Sequence, residues 1–150
     1  MKNQKIRITK EFKFEMAHAL PCHKGPCKNI HGHSYTLSVT VFGFPYNDNT
    51  RADNGMIMDF GDLKTIVKDQ IISVFDHALV LHVDTNENLK SELQKTLSKT
   101  LWVNYDPTSE NLLLDFVERL QPQLPPEVRL YSLRLRETAT SYAEWFASDN

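Results

Sequence analysis

The chain has 150 residues, with 17 basic against 19 acidic side chains and a net charge of -2 with histidine neutral. That length suits one cored domain rather than two, and the charge leaves no overall basic footprint for nucleic acid or an anionic membrane. A content of 41% hydrophobic and 24% charged residues is globular rather than disordered. No stretch approaches 18 apolar residues, and residues 1–10 lack the apolar core of a signal peptide, so the expected setting is the cytoplasm. Cys22 and Cys27 are then expected as free thiols.

Residues 5–18 read as a strand. Ile6, Ile8, Phe12, Phe14, Met16 and His18 share one parity and face a core, while Arg7, Thr9, Glu11, Lys13 and Glu15 face water. Residues 19–30, punctuated by Pro21, Gly25 and Pro26, form a loop. A second strand over 31–43 puts His31, His33, Tyr35, Leu37, Val39 and Val41 on one side, which spaces the two histidines about 7 Å apart along it. Residues 44–54 are again a loop. Asp59 then caps an amphipathic helix over 60–74, with Leu63, Ile66, Val67, Gln70, Ile71 and Val74 at helical spacing.

Asp76-His77 follows that helix and precedes the apolar run 78–81. Residues 88–99 suit a short helix with a thin apolar face, and 101–103 a short strand. Thr108 caps a second amphipathic helix that turns Leu112, Leu113, Phe116, Val117 and Leu120 inward, and the prolines at 122, 125 and 126 end it. A third long strand over 127–137 aligns Tyr131, Leu133, Leu135 and Glu137, and residues 142–147 give a fourth. The order β-β-α-α-β-β predicts an α+β fold: a single domain with a four-stranded antiparallel sheet covered on one face by helices. Two open sheet edges favour an oligomer that joins them.

The chemistry concentrates in His18, Cys27, His31 and His33. Imidazole nitrogens bind zinc at about 2.0–2.1 Å, and three of them leave a fourth position for water or a substrate oxygen. Cys27 has two readings: a fourth ligand that closes a structural site, or a thiolate beside the metal acting as base or nucleophile. Cys22, His23 and His82 read as loop or structural residues. In Asp76-His77 the carboxylate either orients the imidazole or caps the local backbone. Glu137 either pairs with Arg134 or Arg136, or recognises a ring carrying adjacent N–H groups. Phosphate-binding glycine loops, dinucleotide fingerprints, His-Glu-x-x-His helices, Gly-x-Ser-x-Gly elbows and Cys-x-x-Cys pairs do not occur.

Several motifs in one order give a specific resemblance. They are Phe14-Glu-Met-Ala-His18, Cys27-Lys-Asn-Ile-His-Gly-His33, Gly55-Met-Ile-Met-Asp-Phe60, Asp76-His77, Pro107-Thr-Ser-Glu-Asn111 and Arg136-Glu-Thr138. Together the chain resembles the 6-pyruvoyl-tetrahydropterin synthase and 6-carboxy-tetrahydropterin synthase family from Phe12 nearly to the C-terminus. The resemblance implies a tunnelling fold assembled as a homohexamer of two trimers, each trimer closing a twelve-stranded barrel, with sites built across subunits. It implies zinc on His18, His31 and His33, Cys27 as the catalytic thiol, and Asp76 with His77 as a second acid/base group. Glu137 would anchor the pterin ring, with backbone contacts from Pro107 and Thr108; Lys24 and Lys28 are candidates for the triphosphate.

Three residues separate Cys27 from His31, as in the bacterial enzymes of the queuosine route. The resemblance therefore implies conversion of 7,8-dihydroneopterin triphosphate to 6-carboxy-5,6,7,8-tetrahydropterin, acetaldehyde and triphosphate. A pyruvoyl product, or a non-catalytic pterin-binding module whose zinc is closed by Cys27, are the alternatives. Two departures from the family pattern stand out. The link after Asp76-His77, running through residues 82–88, is longer or more polar, and the segment after Glu137 lacks the extra cysteines of some carboxy-forming relatives.

Overall fold

The computed structural model describes residues 4–150. Two long strands dominate it, β1 (Ile6–His18) and β2 (His31–Gly43), paired antiparallel from Ile6↔Gly43 to His18↔His31. Their alternation is the one read from the sequence. Phe12, Phe14, Met16, Tyr35, Leu37, Val39 and Val41 are buried on one face, and the other face carries polar rungs such as Thr9–Thr40, Glu15–Ser34 and Glu11–Ser38. Against β2 lies β5 (Arg129–Arg136), and against β5 lies β6 (Tyr142–Phe146), both antiparallel.

The sheet has six strands rather than four, in the order β4-β3-β1-β2-β5-β6. The two additions are β3 (Ala78–His82) and β4 (Thr100–Val103), running parallel to β1 and to each other. They are short, and the first four residues of β3 are all buried. A strand covered on both faces carries no alternation for sequence reading to detect.

A second difference lies on β5. Its register against β2 shifts between Thr40 and Val41, so that Val41 pairs with Leu130 while Thr40 pairs with Ser132. Tyr131 is thus the extra residue of a bulge, which reverses the parity of everything before it. Leu130 enters the core in its place, and the Tyr131 ring turns out under the Arg7 guanidinium, 3.8 Å from the ring centre.

Helix α1 (Phe60–Val67) starts at Asp59, whose side chain accepts from the Gly61 N–H, as the sequence suggests. It runs on through a π turn (Lys68–Ile72) into the short α2 (Ser73–Phe75). The wider turn changes which residues face inward: Leu63, Val67, Ile71 and Phe75 are buried, and Val74 only partly. Repeated four-residue steps drift round a regular α-helix, and the extra residue of the π turn absorbs that drift. Helix α3 (Glu87–Thr96) has no fully buried residue. Helix α4 (Ser109–Leu120), capped by Thr108, buries Leu112, Leu113, Phe116, Val117 and Leu120.

The helical stretch 60–75 and α4 pack on the apolar face of the sheet to form the main core. Leu79 and Leu81 point the other way, into a small cluster with Ala19, Leu93 of α3 and Trp102. No helix among the described residues is long and apolar enough to cross a membrane.

Candidate metal centre and adjoining clefts

His18 and His31 close the β1–β2 ladder as its last pair, with His33 one rung inside opposite Met16. The hairpin therefore delivers three imidazoles from the core-facing side to one end of the sheet. Gly32 between the two β2 histidines passes close to β1; a Cβ there would stand 3.3 Å from the Met16 carbonyl. His18 Nε2 lies 3.2 Å from His31 Nε2, and the three rings are edge-on or tilted to one another.

The other ring nitrogens explain this arrangement. His18 Nδ1–H donates to the Pro107 carbonyl at 2.7 Å, and His31 Nδ1–H donates to the Asn29 carbonyl at 2.8 Å. Each bond fixes its tautomer, leaving a bare lone pair on each Nε2, and the two lone pairs face one another. His33 Nε2 is buried and lies 3.0 Å from Glu137 Oε1, though not aligned as a hydrogen bond. Converging lone pairs without a proton between them repel, whereas a cation satisfies all of them. Nitrogens bound tetrahedrally to a metal at about 2.0–2.1 Å stand roughly 3.3 Å apart, close to the His18–His31 separation. Backbone carbonyls holding the far ring nitrogens are the usual support of histidine ligands.

His18, His31, His33 and Glu137 together place their donor atoms within 4.8 Å of one another. Burial holds the His18 pKa below its ordinary value, the Pro107 carbonyl and the Glu137 charge offsetting this only in part. His18 is therefore a neutral donor at neutral pH, the form a metal needs.

Glu137 sits just past β5. Its second carboxylate oxygen accepts from the buried Ser109 hydroxyl at the start of α4. Neither arginine takes it: Arg134 pairs with Glu144, and Arg136 donates to the Ala139 carbonyl. A cleft of about 330 Å³ opens beside it, lined by His18, His23, Cys27, Thr108, Ser109 and Glu137 among others. Cys27 is a half-buried free thiol in a single 3-10 turn, Pro26–Lys28, anchored by the Leu20 N–H on its carbonyl. Cys22 is free and exposed, and Lys24 and Lys28 are also exposed and outside the lining of this cleft.

Asp76 and His77 lie elsewhere. His77 Nδ1 is 3.0 Å from Asp76 Oδ1, and the imidazole is largely exposed. The Asp76 carboxyl is held below its usual range, chiefly by the Glu15 N–H that donates to it. His77 lines a second cleft, about 510 Å³, with Glu15, Ala17, Gly32 and Ser34, with His33 of the histidine cluster, and with Leu79 and Lys99. The two clefts share no lining residue, Cys27 lying in the first and His77 in the second. Sequence reading also left out Ser109 and the carbonyls of Asn29 and Pro107. Ser109 and Pro107 lie in the Pro107–Asn111 motif and Asn29 in the Cys27–His33 motif, and the Pro107 backbone was expected on the pterin ring rather than on His18.

A family model described as 6-pyruvoyl tetrahydropterin synthase matches residues 7–148. The chain belongs to that family. A Haemophilus influenzae relative named 6-carboxy-5,6,7,8-tetrahydropterin synthase is 40% identical over 143 residues, covering 93% of this chain and 98% of its own. One of the same name from Aquifex aeolicus is 32% identical over 168 residues, covering 94% and 98%. Among solved structures, an uncharacterized protein from Wolinella succinogenes superposes with a TM-score of 0.77 at 20% identity, covering 96% of this chain and 99% of its own. The Caenorhabditis elegans 6-pyruvoyl tetrahydropterin synthase gives 0.65 at 24% identity, covering 98% and 99%. The tunnelling-type α+β fold expected from the sequence is thus the observed one.

Proposed function

We propose that this protein is a zinc-dependent 6-carboxy-5,6,7,8-tetrahydropterin synthase of the queuosine route. It would take 7,8-dihydroneopterin triphosphate and one water to 6-carboxy-5,6,7,8-tetrahydropterin, acetaldehyde and triphosphate. The relatives that carry this name support the reaction. The observation that carries the metal is the pair of tautomer-locked imidazoles whose bare Nε2 atoms face each other at 3.2 Å.

In this reading His18, His31 and His33 hold zinc. Bound there, zinc lowers the pKa of substrate hydroxyls and polarises a developing carbonyl. The chain's own residues do the rest. Glu137, fixed by Ser109, accepts hydrogen bonds from the pterin ring in the cleft next to the histidines, with Pro107 and Thr108 alongside. Cys27 lines the same cleft and moves a proton at the substrate side chain. Asp76 holds the His77 Nδ1–H, so that Nε2 is the basic atom that exchanges the second proton. Lys24 and Lys28, exposed beside the Cys27 turn, supply positive charge for the triphosphate.

In this reading, bringing the Cys27 thiol and the His77 imidazole from their separate clefts to one substrate falls to a second copy of the chain. A homohexamer of two trimers meets that need. The test is product analysis: zinc-loaded protein incubated with 7,8-dihydroneopterin triphosphate, followed by intact-mass measurement of the pterin. The carboxy product with acetaldehyde is expected. A pyruvoyl product overturns the assignment of product, and zinc held by Cys27 with no turnover overturns the enzyme.

A further inference from the structure

The link between β3 and β4 ends in Lys99. Its ammonium reaches back across the sheet edge and donates to the Ser73 carbonyl at 2.8 Å and the Asp76 carbonyl at 2.6 Å. Ser73 lies in the final turn of the 60–75 helical stretch and Asp76 caps its C-terminus, where carbonyls have no partners further along the helix. A lysine at the negative end of a helix is favoured by charge as well as by hydrogen bonding.

The Asp76 carbonyl is half of the peptide unit that joins Asp76 to His77. The other half, the His77 N–H, donates to the Glu15 carbonyl at 2.6 Å. Lys99 and Glu15 thus hold the two poles of one rigid, planar group. Beyond it His77 adopts φ of 59°, the positive-φ conformation found at no other non-glycine residue among those described. A left-handed conformation at a residue with a side chain costs on the order of 1 kcal/mol or more and persists only where its surroundings hold it. The Lys99 carbonyl also accepts the Leu79 N–H at 3.1 Å, tying the same residue to the strand that leaves His77.

We propose that Lys99 is a positioning residue for His77: by gripping the Asp76 carbonyl it fixes the left-handed turn that presents the Asp76-oriented imidazole to substrate. The presentation to substrate rests on the function proposed above; the clamp itself rests on the geometry alone.

Two measurements on the full-length, zinc-loaded protein separate these layers. The first is residue-resolved amide exchange in wild type, Lys99→Met and Lys99→Arg. Exchange of the His77 amide is expected to be about 10-fold faster in Lys99→Met, with Leu37 and Val39 in the core unchanged, and within about 3-fold of wild type in Lys99→Arg. The second is steady-state kinetics, in which Lys99→Met is expected to lower kcat about 10-fold with KM within about 2-fold, and Lys99→Arg to recover most of the loss. Unchanged His77 protection in Lys99→Met overturns the clamp. So does a uniform rise in exchange through the core, which marks a residue that only stabilises the fold. If the wild type turns over no pterin, the proposed function falls, while the exchange result still decides whether Lys99 holds His77.

Discussion

At the scale of single residues, the candidate metal centre depends on which ring nitrogen carries the proton. Pro107 and Asn29 settle that for His18 and His31 by accepting from Nδ1. Cys27 is placed in the adjoining cleft and outside the converging donor group. Removing a ligand and removing the thiol should therefore give different phenotypes. His31→Ala is expected to lower bound zinc from about one per chain to under a tenth, whereas Cys27→Ala keeps the metal and loses at least about 10²-fold in turnover. Zinc content by atomic emission beside the activity assay checks both. A drop in zinc in Cys27→Ala would instead make the thiol a ligand. The three histidines were legible in the sequence because parity on two strands puts them on one side. Ser109 and the two carbonyls were not, because their contacts join residues 28 to 89 positions apart, or depend on a local turn at Asn29 that propensity does not encode.

At the scale of elements, each helix that positions the site begins with a side-chain cap. Thr108 accepts from the Asn111 N–H at 3.3 Å and starts α4 just where Ser109 reaches Glu137. Thr108→Ala is expected to cost about 1 kcal/mol. For a chain of this length that is a fall in Tm of roughly 2–4 °C by calorimetry. It should also weaken pterin binding, since the first turn of α4 carries the hydroxyl that holds the Glu137 carboxylate; unchanged affinity would separate the cap from the site. Both caps, Asp59 and Thr108, and the long strands were legible, because they rest on local chemistry and strict alternation. The short strand β3, the place of β4 in the sheet (read only as a short strand over 101–103), the bulge at Tyr131 and the π turn were not. Each is fixed by what packs against it rather than by its own residues.

At the scale of the molecule, the buried imidazole of His18 couples folding to pH. Burial lowers its pKa in the folded chain from the unfolded value of 6.5, so the unfolded state takes up its proton first as acid is added. The contribution of His18 is then fully present above about pH 6.5 and is lost as the pH falls toward the folded pKa. Urea denaturation of metal-free protein at pH 7.5 and pH 5.5 should show lower stability at the acid value, with the difference reduced in His18→Gln. Adding zinc should raise stability at pH 7.5, because the ion binds only the assembled donors. Equal stability at both pH values in the metal-free wild type would show that His18 does not carry the dependence.

The π turn at Lys68–Ile72 holds one residue more than regular α winding needs between Asp59 and Asp76. Removing that residue returns the stretch to regular α winding with everything downstream in nearly the same phase, whereas adding a further one rotates everything downstream by about 100° about the axis and advances it by about 1.5 Å. Phe75 would then leave its pocket, and the carboxylate of Asp76 would no longer reach the Glu15 amide. Inserting one residue after Gln70 should consequently cost far more than deleting Gln70, and the deletion should keep the His77 signal in an NMR spectrum that the insertion shifts. Insertions and deletions in this stretch are therefore penalised by angle rather than by composition.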